Sequence, residues 1–459
     1  MAYWIVTYSK YGIVLFLMLF VVCGFYSMRY EDVWLQGRTA TLQSVFLFLT
    51  QFLAYLTIVL RTQRIEYLLF YAVLQILTLA LPLITSILYE GISRILYNHM
   101  CMLLSAGLIL LTRLDLGKAA RQLLIASAAF VLGLIVPWAM KKIANPERFG
   151  WICAGIGILA LGAVLVLGQV THGSRISWTI GGVTFQPSEF VKILYVCFLA
   201  AVFSGEIRIG KVVCSALAAG AHVLILVLSR DLGSALIFFA VYVMMLTVAT
   251  HRLWYPLAGL ILGAGASVLA YRLFSHVRVR VQAWRDPWSV IDDQGYQITQ
   301  SLFAISRGGL FGLGIGKGTP QDIPYVETDF IFAAMAEEMG LLFCIGIILT
   351  GIALFWMVIR LAAGRKEGFY RNLSAGFGLL YAFQMFLTVG GGTRFIPLTG
   401  VTLPLISYGG SSVMTTILMF SMIQGMYQQR YEEEIRLEKE RRNKARREAK
   451  KREEENPDQ

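Results

Sequence analysis

Residues 330–359 read FIFAAMAEEMGLLFCIGIILTGIALFWMVI, an apolar run interrupted only by the adjacent carboxylates Glu337 and Glu338. A helix needs about 20 apolar residues to cross the hydrocarbon core of a bilayer, and this run is long enough. Backbone groups in lipid must pair within their own segment or around a closed barrel. Strand alternation is absent, so the run reads as a membrane-spanning helix rather than part of a barrel. Working outward, the same pattern recurs at 11–28, 39–60, 67–89, 97–112, 122–140, 150–170 and 190–203. It continues at 212–228, 232–249, 254–271, 373–390 and 412–427. Thirteen spans and an all-α, polytopic membrane fold follow.

Composition agrees. Of 459 residues, 57% are apolar and 15% charged, whereas a soluble chain carries roughly 25% charged residues. A soluble globular enzyme, a disordered chain and a collagen-like repeat are excluded. Six cysteines stand singly in apolar stretches, with neither a CxxC pair nor zinc-ligand spacing. They read as small core residues. The first apolar run lacks a small-residue cleavage site and is expected to remain as a span.

Lys and Arg in the short loops orient the chain. With the C-terminus cytoplasmic, thirteen fall in inner loops and nine in outer ones, and the tail after residue 427 adds eleven more inside. An odd span count then sets the N-terminus outside, together with the long loop 272–329. A loop of that length is usually functional. In the tail the eleven basic residues face ten acidic ones, so it reads as a solvated helix with i,i+4 ion pairs or as an anchor for anionic lipid. The formal +12 charge therefore belongs mostly to the membrane part, and no nucleic-acid partner is needed to account for it.

Ionisable groups within membrane segments are costly and mark function. Four clusters stand out: Gln186, Ser188, Glu189 and Lys192; Arg230 with Asp231; Asp329 leading to Glu337 and Glu338; and the helix-breaking stretch 397–412, with Ser407 and Ser411. Glu189 and Lys192 share a helix face and also fit a structural ion pair. Asp231 and Asp329 also fit helix N-caps, since Asp is favoured there. Two adjacent carboxylates cannot both face lipid, so Glu337 or Glu338 must line a polar cavity or meet a cation. In the long loop, Arg307 and Lys317 flank the glycines 308, 309, 312, 314, 316 and 318. Such a stretch resembles a pyrophosphate cradle, although no strand precedes it and a dinucleotide fold is rejected. Read together, the clusters suggest one shared cavity on the outer face.

Five strings resemble the SEDS proteins, the bacterial FtsW, RodA and SpoVE group. They are FQPSEFVK (185–192), SRDLGSAL (229–236), GYQITQS (295–301), ETDFIFAAMAEEMG (327–340) and PLTGVTLPLISYGGSS (397–412). The resemblance covers roughly 94–428. It implies a ten-span catalytic core over 94–428, preceded by about three additional helices in 1–93 and followed by a cytoplasmic tail, 429–459. The long outer loop would lie between the core's seventh and eighth spans. It also implies a peptidoglycan glycosyltransferase acting on lipid II at the outer leaflet, usually beside a class B penicillin-binding transpeptidase. The family's essential aspartate falls on Asp329 and its buried glutamate on Glu338, while Arg175, Glu189, Lys192 and Asp231 match polar residues of its cavity.

On that reading Asp329 is a general base for a sugar hydroxyl. Arg175, Lys192, Arg307, Lys317 or a bound Mg²⁺ or other divalent cation would steady the departing pyrophosphate. No metal-ligand spacing is readable, so no cofactor is assigned. A lipid II flippase or transporter, and a noncatalytic scaffold of the division machinery, are the alternatives. The sequence does not separate elongation, division and sporulation roles.

Overall fold

The computed structural model describes residues 2–29, 33–143, 145–171, 174–180, 183–364 and 368–455. Its first helices are α1 (Ala2–Arg29), α2 (Val33–Thr62), α3 (Glu66–Leu88), α4 (Arg94–Leu114), α5 (Leu116–Met140) and α6 (Pro146–Leu167). A small antiparallel sheet follows, in the order β1 (Gln169–Thr171), β2 (Ser174–Ile180), β3 (Val183–Phe185). The chain continues through α7 (Pro187–Val202), α8 (Ile209–Leu228), α9 (Leu232–Thr250), α10 (Trp254–Leu273), α11 (Ser275–Arg285) and α12 (Tyr296–Gly308). It closes with α13 (Ile331–Met339), α14 (Leu341–Ala363), α15 (Phe369–Gly392) and α16 (Gly410–Glu455).

Eleven of the described helices are long and apolar enough to cross a bilayer, and the chain is a multi-pass membrane protein. The sixteen-residue α7 is shorter than those eleven. The segment 412–427 is the first part of the 46-residue α16, which at 1.5 Å per residue runs roughly 70 Å. Its solvated half carries the i,i+4 pairs Arg430–Glu434 and Arg436–Glu440, so span and tail are one rod.

Side-chain caps set several of the boundaries. Ser93, Asp115, Asn145 and Asp231 each accept a backbone amide in the first turn of α4, α5, α6 and α9, satisfying donors that otherwise have no partner. In the packing, α4 is the axis: residues 95–112 are all buried, among α2, α5, α13 and α14. A helix apolar all round belongs inside. Several of its polar side chains are paired: Asn98 Nδ2 donates to the Ala40 carbonyl at 2.8 Å, and Gln51 Nε2 donates to Ser105 Oγ. At the other extreme, α10 buries only Gly259 and shows its remaining surface outward.

Two expectations are corrected. The run 330–359 is not one helix. It breaks at Gly340, whose φ of +90° lies in a region L-residues rarely adopt, giving the separate α13 and α14. A side chain there would also strike the Gly312 amide, 2.3 Å from the Cβ position. The stretch 169–185, read as a helix end and a loop, holds the sheet. Ile176, Trp178 and Ile180 alternate with Arg175, Ser177 and Thr179, a period-two signal that the long apolar spans overshadowed.

Candidate functional site

The turn that leads into α13 is held from several directions. Ser407 Oγ donates to the Thr328 carbonyl at 2.5 Å and accepts the Leu403 amide at 2.9 Å. The Tyr408 amide donates to the Glu327 carbonyl at 2.7 Å. Lys118, in the first turn of α5, ion-pairs with Glu327. One turn further, Gln122 clasps the 403–409 loop: Nε2 donates to the Ser407 carbonyl at 3.2 Å and Oε1 accepts the Gly409 amide at 3.1 Å. The non-helical stretch after α15 is thus satisfied by side chains of the bundle, as irregular backbone at membrane depth requires.

Ser407→Ala removes one donor and one acceptor from buried backbone groups. Each group left unsatisfied costs about 1–3 kcal/mol. A lower thermal unfolding temperature in detergent is expected, together with a loosened 327–329 turn and a fall in whatever activity depends on it. Ser407→Thr, which keeps the hydroxyl, should restore both.

Asp329 is half-buried at the end of that turn. Phe330, a residue with no polar side-chain atom, occupies the capping position of α13, so Asp329 is not the N-cap. Arg280 on α11 reaches across, its Nη1 donating to the carbonyls of Leu398 (3.3 Å) and Thr399 (3.0 Å). Asp329 Oδ2 and Arg280 Nη2 both lie within 4 Å of the point a Cβ would take at Gly400, at 3.9 and 3.5 Å. Gly400 has φ +75°, so glycine both supplies the bend and leaves room beside the carboxylate. One turn before Arg280, partial burial holds His276 below the ordinary imidazole range, with Arg280 and Arg230 adding repulsion.

The first cluster forms a buried layer beneath. Lys192 Nζ bonds Glu189 Oε1 at 2.8 Å and Gln384 Oε1 at 3.1 Å, and Gln384 Nε2 donates to the Thr402 carbonyl at 3.1 Å. The cavity this pair lines is about 20 Å³, room for about one water and too small for a sugar. Ser188 Oγ donates to Asp231 Oδ2 at 3.4 Å, while Asp231 Oδ1 caps α9 through the Ser234 amide at 3.1 Å. Ser411 Oγ accepts the Gln186 amide at 3.0 Å. The start of α9 in turn meets the same loop, since a Cβ on Gly233 would stand 2.8 Å from the Thr399 carbonyl. Arg175 lies on β2 opposite Val170, and its side chain falls outside the described residues.

The Glu337–Glu338 pair is buried and meets cations. Arg307 Nη1 reaches Glu337 Oε1 at 2.9 Å, with Thr319 supplying its amide at 3.2 Å. Arg113 Nε stands 3.3 Å from Glu338 Oε1. Arg307 is therefore brought to Glu337, not to Asp329. The glycine-rich stretch packs against the pair's backbone: Leu313 and Gly314 amides donate to the carbonyls of Glu337 and Glu338, both at 2.9 Å. A Cβ on Gly308 or Gly312 would strike the carbonyls of Ala336 or Glu338. Lys317 is exposed at the edge of this loop.

Lys118 and Gln122 are residues no motif pointed to, and Arg280 stood in the sequence only as one of several cations of the long loop, with no place at the site. Their partners are carbonyls and carboxylates far along the chain, which no spacing rule reveals. Among the described residues, no three His, Cys, Asp or Glu side chains gather as metal ligands.

Fold and site together define a polytopic membrane protein with a carboxylate–guanidinium corner where a broken helix meets a non-helical loop. The family model described as cell cycle protein, FTSW_RODA_SPOVE, matches residues 92–432. The chain belongs to that family. It is 35% identical over 355 residues to a protein named peptidoglycan glycosyltransferase RodA from Mycobacterium tuberculosis, covering 69% of this chain and 74% of that one. It is 30% identical to the probable peptidoglycan glycosyltransferase FtsW of Saccharophagus degradans, over 76% and 96% of the two chains. Among solved structures, one described as a peptidoglycan synthase complex that coordinates polymerization and crosslinking superposes with a TM-score of 0.63 at 26% identity. It covers 75% of this chain and 99% of that one. The Thermus thermophilus rod shape determining protein RodA shares the fold, with a TM-score of 0.57 at 24% identity over 74% and 98% of the chains.

Proposed function

We propose that this protein polymerises lipid II into glycan strands at the outer face of a bacterial cytoplasmic membrane, with Asp329 as general base. The observation that carries the reading is the Asp329 carboxylate, half-buried and held beside Arg280 and Gly400 by a stapled turn. The family membership and the relatives' names supply the reaction class.

In that reaction a hydroxyl of one sugar attacks the anomeric carbon of another. The O–H proton passes to the carboxylate, a C–O bond forms, and the bond to the lipid pyrophosphate breaks with its electron pair leaving on phosphate oxygen. A base within hydrogen-bond reach typically contributes 10²- to 10⁴-fold. Arg280 plays a double part here: it fixes the loop through Leu398 and Thr399, and it places a positive charge beside the carboxylate. Arg175, Lys317 and this guanidinium are the cationic groups offered to the pyrophosphate. Arg307 and Lys192 are committed to Glu337 and Glu189 and act through the architecture. Glu338, Asp231, Ser407 and Ser411 serve the same positioning role.

An outer-facing site follows from the Lys and Arg bias of the loops, with the tail inside. A penicillin-binding transpeptidase is the proposed partner, on the strength of the synthase complex among the structural neighbours.

The test is incubation of the purified chain with fluorescent lipid II, reading products by gel. Glycan ladders are expected. Translocation of lipid II across vesicles with no polymer formed would favour the flippase, and neither activity would favour a scaffold.

A further inference from the structure

We infer that the first two of the three N-terminal helices, which precede the family match beginning at residue 92, form a clamp. It holds the glycine-rich loop 308–318 from behind and thereby positions α13 and the turn carrying Asp329. Lys10 is the principal positioning residue.

The loop is a brace across the break at Gly340. On one side of the break, Leu313 and Gly314 amides bond the carbonyls of Glu337 and Glu338 on α13. On the other, Leu341 and Leu342 amides of α14 bond the carbonyls of Gly309 (2.9 Å) and Leu310 (3.1 Å). Four glycines of the brace, at 309, 312, 314 and 316, have positive φ, so its shape is one that unrestrained backbone leaves easily. Something must hold it from the far side.

That hold comes from α1 and α2. Lys10 Nζ donates to the Gly312 carbonyl at 2.8 Å, and Gly312 is a residue on which a Cβ would strike the Glu338 carbonyl, 2.3 Å away. Tyr11 meets Phe311 edge to face, with ring centroids 4.9 Å apart. Arg61, at the end of α2, lies against Gly316, its Nε 3.0 Å from the Cβ position, beside Arg113 at 3.3 Å. Farther along, α1 is fastened to α14 at two more levels: Leu17 fills the space over Gly346, and Arg360 donates to the Met28 carbonyl. The clamp is therefore registered against α14, one of the two helices the brace joins. An anchor that merely tethered the chain to lipid needs none of these contacts.

Hydrogen exchange on the full-length chain in nanodiscs tests this directly. In Lys10→Met/Arg61→Met, amides of 308–318 are expected to exchange about tenfold faster, with α4 amides unchanged as the folding check, and Lys10→Arg alone is expected to keep the wild-type rate. Exchange at the wild-type rate in the double variant overturns the clamp. A second measurement covers a variant that fails to fold. In a chain freed of its native cysteines, Tyr11→Cys with Phe311→Cys should cross-link nearly completely with a short bis-maleimide, and absence of the cross-link also overturns it. The activity arm rests on the glycosyltransferase reading, whereas exchange and cross-linking do not. In it, the double variant should lose about fivefold in kcat with KM for lipid II within twofold, and Lys10→Arg should recover. Faster exchange with unchanged kcat would refute the positioning role and leave the contact standing.

Discussion

Asp329→Asn is expected to cut glycan polymerisation by the purified chain roughly 10²- to 10⁴-fold, the usual contribution of a positioned base. The substitution keeps the shape of the side chain and removes its ability to take a proton. The thermal unfolding midpoint should stay near that of the wild type, because the half-buried side chain is not the cap of α13. Asp329→Glu separates basicity from placement. It restores a carboxylate but moves it by about 1 Å, and misplacement on that scale can itself cost about 10²-fold. The order expected from quantified ladders is Asp, then Glu, then Asn. Equal products from Asp329→Asn would remove the base from the mechanism.

The second large effect concerns stability. Glu338 is wholly buried and Arg113 is 22% exposed, so Arg113→Met strands a carboxylate in the bundle. Breaking a buried pair from one side typically costs about 3–5 kcal/mol. Arg113→Met combined with Glu338→Gln should recover most of that, because the charge leaves with its partner. Arg307→Met should cost less, since Arg307 is half-exposed and the Thr319 amide still holds Glu337. Thermal melts of the three variants in one detergent read the ranking. A mild Arg113→Met unfolding shift, matching that of Arg307→Met, would mean that water already reaches Glu338.

Much of this architecture is legible in the sequence because the bilayer allows so few solutions. Long apolar runs mark helices, and α1 to α6, α8 to α10, α14 and α15 follow them. That at least one of Glu337 and Glu338 must line a polar cavity or meet a cation is also legible, since it depends only on the cost of a carboxylate in lipid. Which cations they meet was not, for Arg113 and Arg307 arrive from α4 and α12. The break at Gly340 was hidden because a lone glycine inside an apolar helix pattern is tolerated. The close approach of Gly312, which leaves no room for a Cβ there, is a tertiary fact. The glycine-rich stretch was read as a phosphate cradle on composition, yet its glycines at 308 and 312 allow backbone to lie on backbone. Arg280 is legible only as one more cation of the long loop: an aspartate at a helix start draws attention locally, while a guanidinium bonded to carbonyls 118 and 119 residues away does not.

The account stands on Asp329 facing an aqueous site on the outer side of the membrane where the lipid-linked sugar arrives. Asp329→Cys, in a chain whose six native cysteines have been replaced, can be challenged with a membrane-impermeant maleimide in right-side-out vesicles. Labelling from outside, slowed by added lipid II, is the predicted result. Labelling only after the inner face is opened, or a rate indifferent to lipid II, would contradict it.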